Sequence, residues 1–170
     1  MSPHQKAIEK IVKDGAFWKT PQFKSRFFDF AKGVERRGIN VRIKEKHHEG
    51  DFDVGIYHGD NLQGWFGLAF NPKLNCLAIE SVQGEKLSTS HAFREKISST
   101  WYSVLANRVI TTVLRNGEHR VALVNWEKQE SAKHNPSSSG IYSAVGRALK
   151  KRAKKAVVVS EGKYTLYYLP

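Results

Sequence analysis

The most informative segment of the chain is the C-terminal stretch Ser137–Pro170, SSSGIYSAVGRALKKRAKKAVVVSEGKYTLYYLP. Its first part has the period of an amphipathic helix over Ile141–Ala153, and its second part alternates like two strands around Glu161-Gly162-Lys163. At 100° per residue, the apolar and the cationic side chains of the helix fall on opposite sides. The segment therefore predicts a helix with one buried side, followed by a β-hairpin.

The solvent side of this predicted helix is strongly basic. Residues 147–155 hold six Lys or Arg and no acid, and Arg147, Lys150, Lys151 and Lys154 recur at helical spacing. A row of cations opposite an apolar side suits a polyanion. The pattern favours nucleic acid as the partner.

Composition supports a globular chain with an anionic partner. The 170 residues are 40% hydrophobic, which is enough for a core, and carry a net charge of +12 with a sequence pI near 9.9. No apolar run approaches the roughly 20 residues of a membrane span, so no membrane partner is expected. The single cysteine, Cys76, excludes an internal disulfide framework.

No signal peptide is recognisable, because the N-terminus MSPHQKAIEKIVKDG reads as a polar amphipathic helix. We therefore expect a cytoplasmic or nucleoid-associated protein. The sequence has no Walker loop and no GxGxxG, and its His residues lack metal-ligand spacing. No cofactor and no metal is expected.

The first half of the chain combines helices with alternating segments. Helices are predicted for Pro3–Asp14 and for the stretch that begins at Thr20 and ends at Gly38. Four segments then alternate like half-buried strands: Ile39–Lys44, Asp51–Tyr57, Leu62–Phe70 and Asn75–Val82. Short polar turns join them. The pattern predicts N-terminal helices packed on a four-stranded antiparallel meander, ending at about residue 87.

The second half, residues 88–170, has a different order. A long helix reaching about Leu114 precedes a strand at Arg120–Asn125, a short helix at Trp126–His134, and the helix and hairpin described above. The order helix, strand, helix, helix, hairpin resembles the winged helix-turn-helix family over about Phe93–Pro170. The chain is thus expected to be an α+β protein with two units, 1–87 and 88–170, whether separate or sharing one continuous core.

The resemblance implies noncatalytic binding of double-stranded DNA, with the basic helix on the duplex and the hairpin beside it. The residues it places at the interface are Ser138, Ser139, Tyr142, Arg147, Lys150, Lys151, Lys154 and Lys163. Lysines suit phosphates better than base edges, so modest sequence specificity is expected. The first unit then supports the second unit, forms a homodimer or recognises a second feature of the nucleic acid.

The predicted sheet allows a second way to bind nucleic acid. Tyr57 and Trp65 fall on the side opposite Phe52, Val54 and Ile56, where exposed rings stack unpaired bases. The favoured interpretation is that Trp65 is packed instead.

Two alternatives to DNA binding follow from the residues. A metal-dependent nuclease needs carboxylates gathered on adjacent strands, and Asp51, Asp53 and Glu80 approximate that set. The common restriction-nuclease fold has a Lys two residues after an acid on its second strand, whereas Val82 stands two residues after Glu80. The second alternative is an RNA-binding or ribosome-associated protein, since basic charge alone does not separate RNA from DNA.

Overall fold

The computed structural model describes residues 39–44, 52–84, 101–115, 117–125 and 139–170. These residues combine strands and helices, and the expected mixed α and β content is confirmed. The strands are β1 Ile39–Lys44, β2 Phe52–His58, β3 Asn61–Asn71, β4 Cys76–Gly84, β5 Arg120–Val124, β6 Lys155–Val159 and β7 Tyr164–Tyr168. The helices are α1 Trp101–Arg115 and α2 Ser139–Arg152.

All seven strands belong to one sheet, in the order β1-β2-β3-β4-β5-β7-β6. Strands β1 to β4 pair antiparallel in sequence order, and the hairpin β6–β7 joins the sheet where β7 pairs antiparallel with β5. Strands β4 and β5 are parallel neighbours. Because α1 connects them, this crossover carries the chain from the first half of the sheet to the second.

The parallel contact is short. Leu77 pairs with Val121 and Ile79 with Leu123, and the pairing stops there. Strand β4 continues to Gly84, whereas β5 ends at Val124. A register shift at this point in the β3–β4 ladder leaves Glu80 without an opposite residue, which is the pattern of a β-bulge and increases local twist. The carboxyl end of β4 therefore extends beyond its parallel neighbour.

Both helices cover the same face of the sheet. In α1, Trp101 contacts Phe66 of β3, with ring centroids 6.1 Å apart. In α2, a Cβ on Gly146 would meet the Tyr167 hydroxyl at 3.1 Å, so the helix backbone lies directly over β7. Buried hydrophobic side chains from both helices, from β1 to β5 and from β7 form one cluster. This cluster includes residues on either side of position 87.

The two helices run in the same direction relative to the sheet. Trp101, at the start of α1, lies beside Gly84 at the carboxyl end of β4. At the end of α2, the Lys154 N–H donates to the Tyr168 carbonyl, and Tyr168 pairs with Arg120 at the start of β5. The carboxyl ends of both helices therefore lie at the amino end of β5, where the basic residues gather.

The sheet differs from the one that the winged-helix resemblance implies. Strand β5 pairs with β7 on one side and with β4 on the other, so the hairpin belongs to a larger sheet. The helices predicted for 3–14, 20–38 and 126–134, and the first part of the long helix before Trp101, lie outside the described residues.

Candidate nucleic-acid interface

Helix α2 has one buried and one basic side. Tyr142, Val145 and Leu149 recur at three and four residues and are buried. This apolar row packs on the sheet, which forces the remaining side chains outward. The exposed residues of the helix are Gly140, Ser143, Arg147, Lys150, Lys151 and Arg152. The cationic side is thus fixed by the packing of the apolar side.

The basic row continues beyond the helix. Lys154 and Lys155 are exposed, and the Lys155 ammonium lies 4.7 Å from the centre of the Tyr168 ring. This cation–π contact holds the Lys155 ammonium over the Tyr168 ring at the start of β6. Cations here also lie next to the carboxyl end of α2, where the helix dipole favours positive charge. The dipole and the ring therefore stabilise a local charge density that would otherwise be self-repelling.

Helix α1 adds charge to the same end of the molecule. Arg115 closes α1 and is exposed. Burial, together with the positive charge of Arg115, lowers the pKa of Arg108, which lies about two helical turns earlier. Arg120 donates from Nη2 to the Asn75 carbonyl at 3.3 Å, in the turn between β3 and β4. We call the exposed residues Arg115, Arg147, Lys150, Lys151, Arg152, Lys154 and Lys155 the basic surface.

Three members of the basic surface were missed by reasoning from the sequence. Arg115 lies in a separate helix, and only the parallel run of α1 and α2 brings it near. Arg152 falls toward the apolar side of the helical wheel, but α2 ends there and the side chain is exposed. Lys155 was assigned no role. The sequence feature that could have identified Arg152 and Lys155 is the run of basic residues in 147–155, which continues past the end of α2.

Not all residues predicted for the interface lie together. Ser138 is outside the described residues, and Ser139 opens α2 with a side chain that the structure does not describe. Lys163 lies in the hairpin turn, 5.4 Å from the Tyr164 ring centre. Tyr164 and Tyr168 are the two ends of β7, roughly 13 Å apart at about 3.3 Å per residue. Lys163 is therefore remote from Lys155.

Tyr142 is a correction to the predicted interface. Its side chain is only 6% exposed, and its hydroxyl oxygen accepts a 3.0 Å hydrogen bond from the Val82 N–H. Val82 lies in the part of β4 that extends past β5, so the Tyr142 hydroxyl provides a partner that β5 does not supply. This residue anchors α2 to β4 and is not part of the basic surface.

The proposed stacking platform is also corrected. Trp65 is 3% exposed, so its faces are covered and it cannot stack on a base. Tyr57 is half-buried. The favoured interpretation, in which Trp65 is packed, is the one that the structure supports.

The carboxylates suggested for a nuclease are not arranged around an open site. Asp51 is outside the described residues, and Asp53 is fully buried. Glu80 accepts hydrogen bonds from the Tyr164 hydroxyl at 2.7 and 3.0 Å, on the side of β4 away from β2. Burial, and then the hydrogen bond to Glu80, raise the pKa of Tyr164. Within the described ranges, no three His, Cys, Asp or Glu side chains lie close enough to hold a metal.

Two further features bear on partners and reactivity. Neither of the described helices is long and apolar enough to cross a lipid bilayer. Cys76 is buried, and this burial raises the pKa of its thiol to about 12. A thiol with this pKa is protonated near neutral pH and is a poor nucleophile.

The sequence matches no family model and no curated protein. Among solved structures, a protein of unknown function from Aquifex aeolicus VF5 is similar at 13% identity and a TM-score of 0.31, over 79% of this chain and 73% of that one. An N-acetylglutamate synthase from Neisseria gonorrhoeae is similar at 12% identity and a TM-score of 0.37. That match covers 86% of this chain but 32% of the synthase. Neither likeness is strong enough to assign a fold or an activity.

Proposed function

We propose that the protein binds double-stranded DNA without cutting it, through the basic surface. The observation that carries this proposal is the exposure of every cation on the outer side of α2, at the end of the sheet where α1 adds Arg115. Seven exposed cations at one end of a small protein attract a polyanion strongly. A cytoplasmic or nucleoid location fits such a partner.

The order of the elements also supports this proposal. Helix α1, strand β5, helix α2 and the β6–β7 hairpin follow in the order of the winged-helix resemblance, in which the helix predicted for 126–134, outside the described residues, stands between β5 and α2. Helix α2 has 14 residues and is about 21 Å long, enough to lie along the major groove or across neighbouring phosphates. Its outer side is free of large apolar residues, which suits a polar groove.

The side chains favour phosphate contact over base reading. Lysines form four of the seven members of the basic surface, namely Lys150, Lys151, Lys154 and Lys155. Lysine acts as a flexible point charge, whereas arginine forms the bidentate contacts that read guanine. We therefore expect weak sequence preference and a strong dependence on salt. Five or six phosphate contacts give a slope of log K against log salt of roughly −5.

The test is a binding titration by fluorescence anisotropy, over a salt series with Mg²⁺ present. The probes are duplex DNA, the matching single strand and duplex RNA, and each is examined on a gel afterwards. Duplex DNA is expected to bind most tightly and to remain intact. Lys151→Glu should weaken binding about tenfold or more and reduce the salt slope by about one or two.

Lys163→Glu is the matched control, because it makes the same change of charge at an exposed lysine at the other end of β7. It should weaken binding much less. Equal losses for the two variants would mean that only total charge matters, and would refute the basic surface as the site. Tighter binding of duplex RNA would support the RNA-binding alternative, and a cleaved probe would support the nuclease alternative.

A further inference from the structure

Strand β6 forms an exposed edge of the sheet. It stands last in the strand order and pairs with β7 on its inner side. Val157 is 38% exposed and Val158 is 63% exposed, and they are the large hydrophobic residues that the described part of the chain leaves exposed. Two adjacent valines on an open edge are the features of a strand-pairing surface.

The sequence of this edge favours pairing. Strand β6 reads KAVVV, in which three successive β-branched residues prefer extended structure and no proline interrupts the backbone. The Lys154-Lys155 pair at its start is the kind of charge that keeps edges from pairing indiscriminately. The edge is thus competent to pair, but only with a strand that matches its charges.

The charges at the two ends of β6 are opposite. Lys154 and Lys155 are exposed at its start, and Glu161 is exposed just beyond its end. A strand that lies antiparallel to β6 brings its own end beside the start of β6. The turn that follows the reversed strand therefore brings Glu161 near the lysines of β6. Lys163 lies in the same turn, with its ammonium 5.4 Å from the centre of the Tyr164 ring. The edge is complementary to itself.

We propose that two copies of this chain form a homodimer by antiparallel pairing of their β6 strands, with the two-fold axis at Val158. This register brings together the two Val158 side chains, which are the most exposed apolar groups of the strand. It pairs Val157 with Val159 of the second copy. Strand β6 ends at Val159, and the chain turns at Ser160 and Glu161, whose φ angles are 53° and 56°. The side chain of Lys155 therefore lies near the turn that carries Glu161 of the second copy, and not in register with it. The partner is a second copy because the charge pattern matches a reversed β6.

This arrangement has a consequence for the rest of the molecule. A two-fold axis through an antiparallel strand pair is perpendicular to the sheet, so both helix-covered faces lie on the same side. The two α2 helices, and with them the two basic surfaces, then face the same direction. The dimer does not depend on the proposed DNA binding, since it rests on β6 and on the charges of Lys154 and Glu161 that flank it.

The experiment is sedimentation equilibrium of the full chain without nucleic acid, over a wide range of concentration. The wild type is expected to dimerise reversibly. Val158→Lys places two like charges at the axis and should weaken the dimer about tenfold or more. Because Val158 is mostly exposed, the variant should fold, which circular dichroism checks. Ser143→Lys adds the same charge at an exposed position of α2 and should leave the dimer unchanged.

A charge exchange tests the register. Lys155→Glu and Glu161→Lys should each weaken the dimer several-fold, because each places like charges together. The double variant exchanges the two charges and should recover most of the loss. A wild type that stays monomeric at all concentrations overturns the proposal, as does a double variant no better than the worse single one. A Val158→Lys protein that is still dimeric would place the interface elsewhere.

Discussion

Gly67 in β3 allows two polar side chains to approach across the sheet. It pairs with Asp53 of β2 and with Ser81 of β4, so these two side chains flank it on the same face. A Cβ at Gly67 would collide with the Ser81 hydroxyl and lie 3.4 Å from Asp53 Oδ1. Ser81 Oγ and both carboxylate oxygens of Asp53 are buried and have no hydrogen-bond partner within the described ranges. The packing around Gly67 is therefore tight and unusually polar.

Gly67→Ala is expected to destabilise the protein by about 1–3 kcal/mol, because the added methyl overpacks this site. Removal of the obstructing hydroxyl in the double variant Gly67→Ala/Ser81→Ala should recover part of the loss. The measurement is the free energy of unfolding in urea. Gly140→Ala is the control, since a Cβ there has no neighbour within 4 Å. A Gly67→Ala protein as stable as the wild type would show that the strands separate easily.

At the scale of the element, α2 shows what a helical wheel predicts and what it misses. The wheel places Arg147, Lys150 and Lys151 opposite the apolar row, and all three are exposed. It also allows Tyr142 to face solvent, but this side chain is buried. A helical wheel gives the direction of a side chain around the helix axis. Whether a tyrosine is buried also depends on whether its hydroxyl can accept a hydrogen bond from a buried donor. That donor, the Val82 N–H, comes from a strand 60 residues earlier.

Tyr142→Phe separates the two roles considered for this residue. Loss of the hydroxyl leaves the buried Val82 N–H without this acceptor, which should cost about 1–3 kcal/mol of unfolding free energy. Affinity for duplex DNA should be unchanged in the same variant, measured at a temperature where both proteins are folded. A tenfold loss of affinity with no loss of stability would return Tyr142 to the interface and contradict its role as an anchor.

At the scale of the whole molecule, the parallel pairing of β4 with β5 joins the two halves of the sheet. Ala78 pairs with Ala122, and the core cluster contains residues from both halves. A common core makes the unfolding of one half costly for the other. We therefore expect a single cooperative unfolding transition, in which tryptophan fluorescence and far-UV circular dichroism give the same midpoint in urea.

Leu149→Ala tests this coupling from the second half. Leu149 is fully buried in α2, so the truncation should cost about 2–5 kcal/mol. Both probes should shift to the same lower midpoint, although two of the four tryptophans, Trp18 and Trp65, lie within residues 1–87. Two separated transitions, with only one of them shifted, would indicate that residues 1–87 and 88–170 are independent units.

The local features of this protein follow from patterns within single segments of its sequence. Alternation of apolar residues predicted the strands, because one face of a half-buried strand packs on the core and the other face contacts water. Helical spacing identified the buried and basic sides of α2, and composition indicated an anionic partner. These properties depend on residues close together in the chain, so a pattern within one segment is enough to reveal them.

The way in which the segments combine depends on contacts that form in the folded chain. The parallel pairing of β4 with β5, the shared end of α1 and α2 that collects Arg115 with Lys155, and the burial of Tyr142, Trp65 and Asp53 all arise from contacts between distant segments. The free energy of such contacts depends on which surfaces meet, and local periodicity carries no information about that choice. Hence the charge of the basic surface was predictable, whereas its extent and the exposed edge at β6 became visible only in the folded chain.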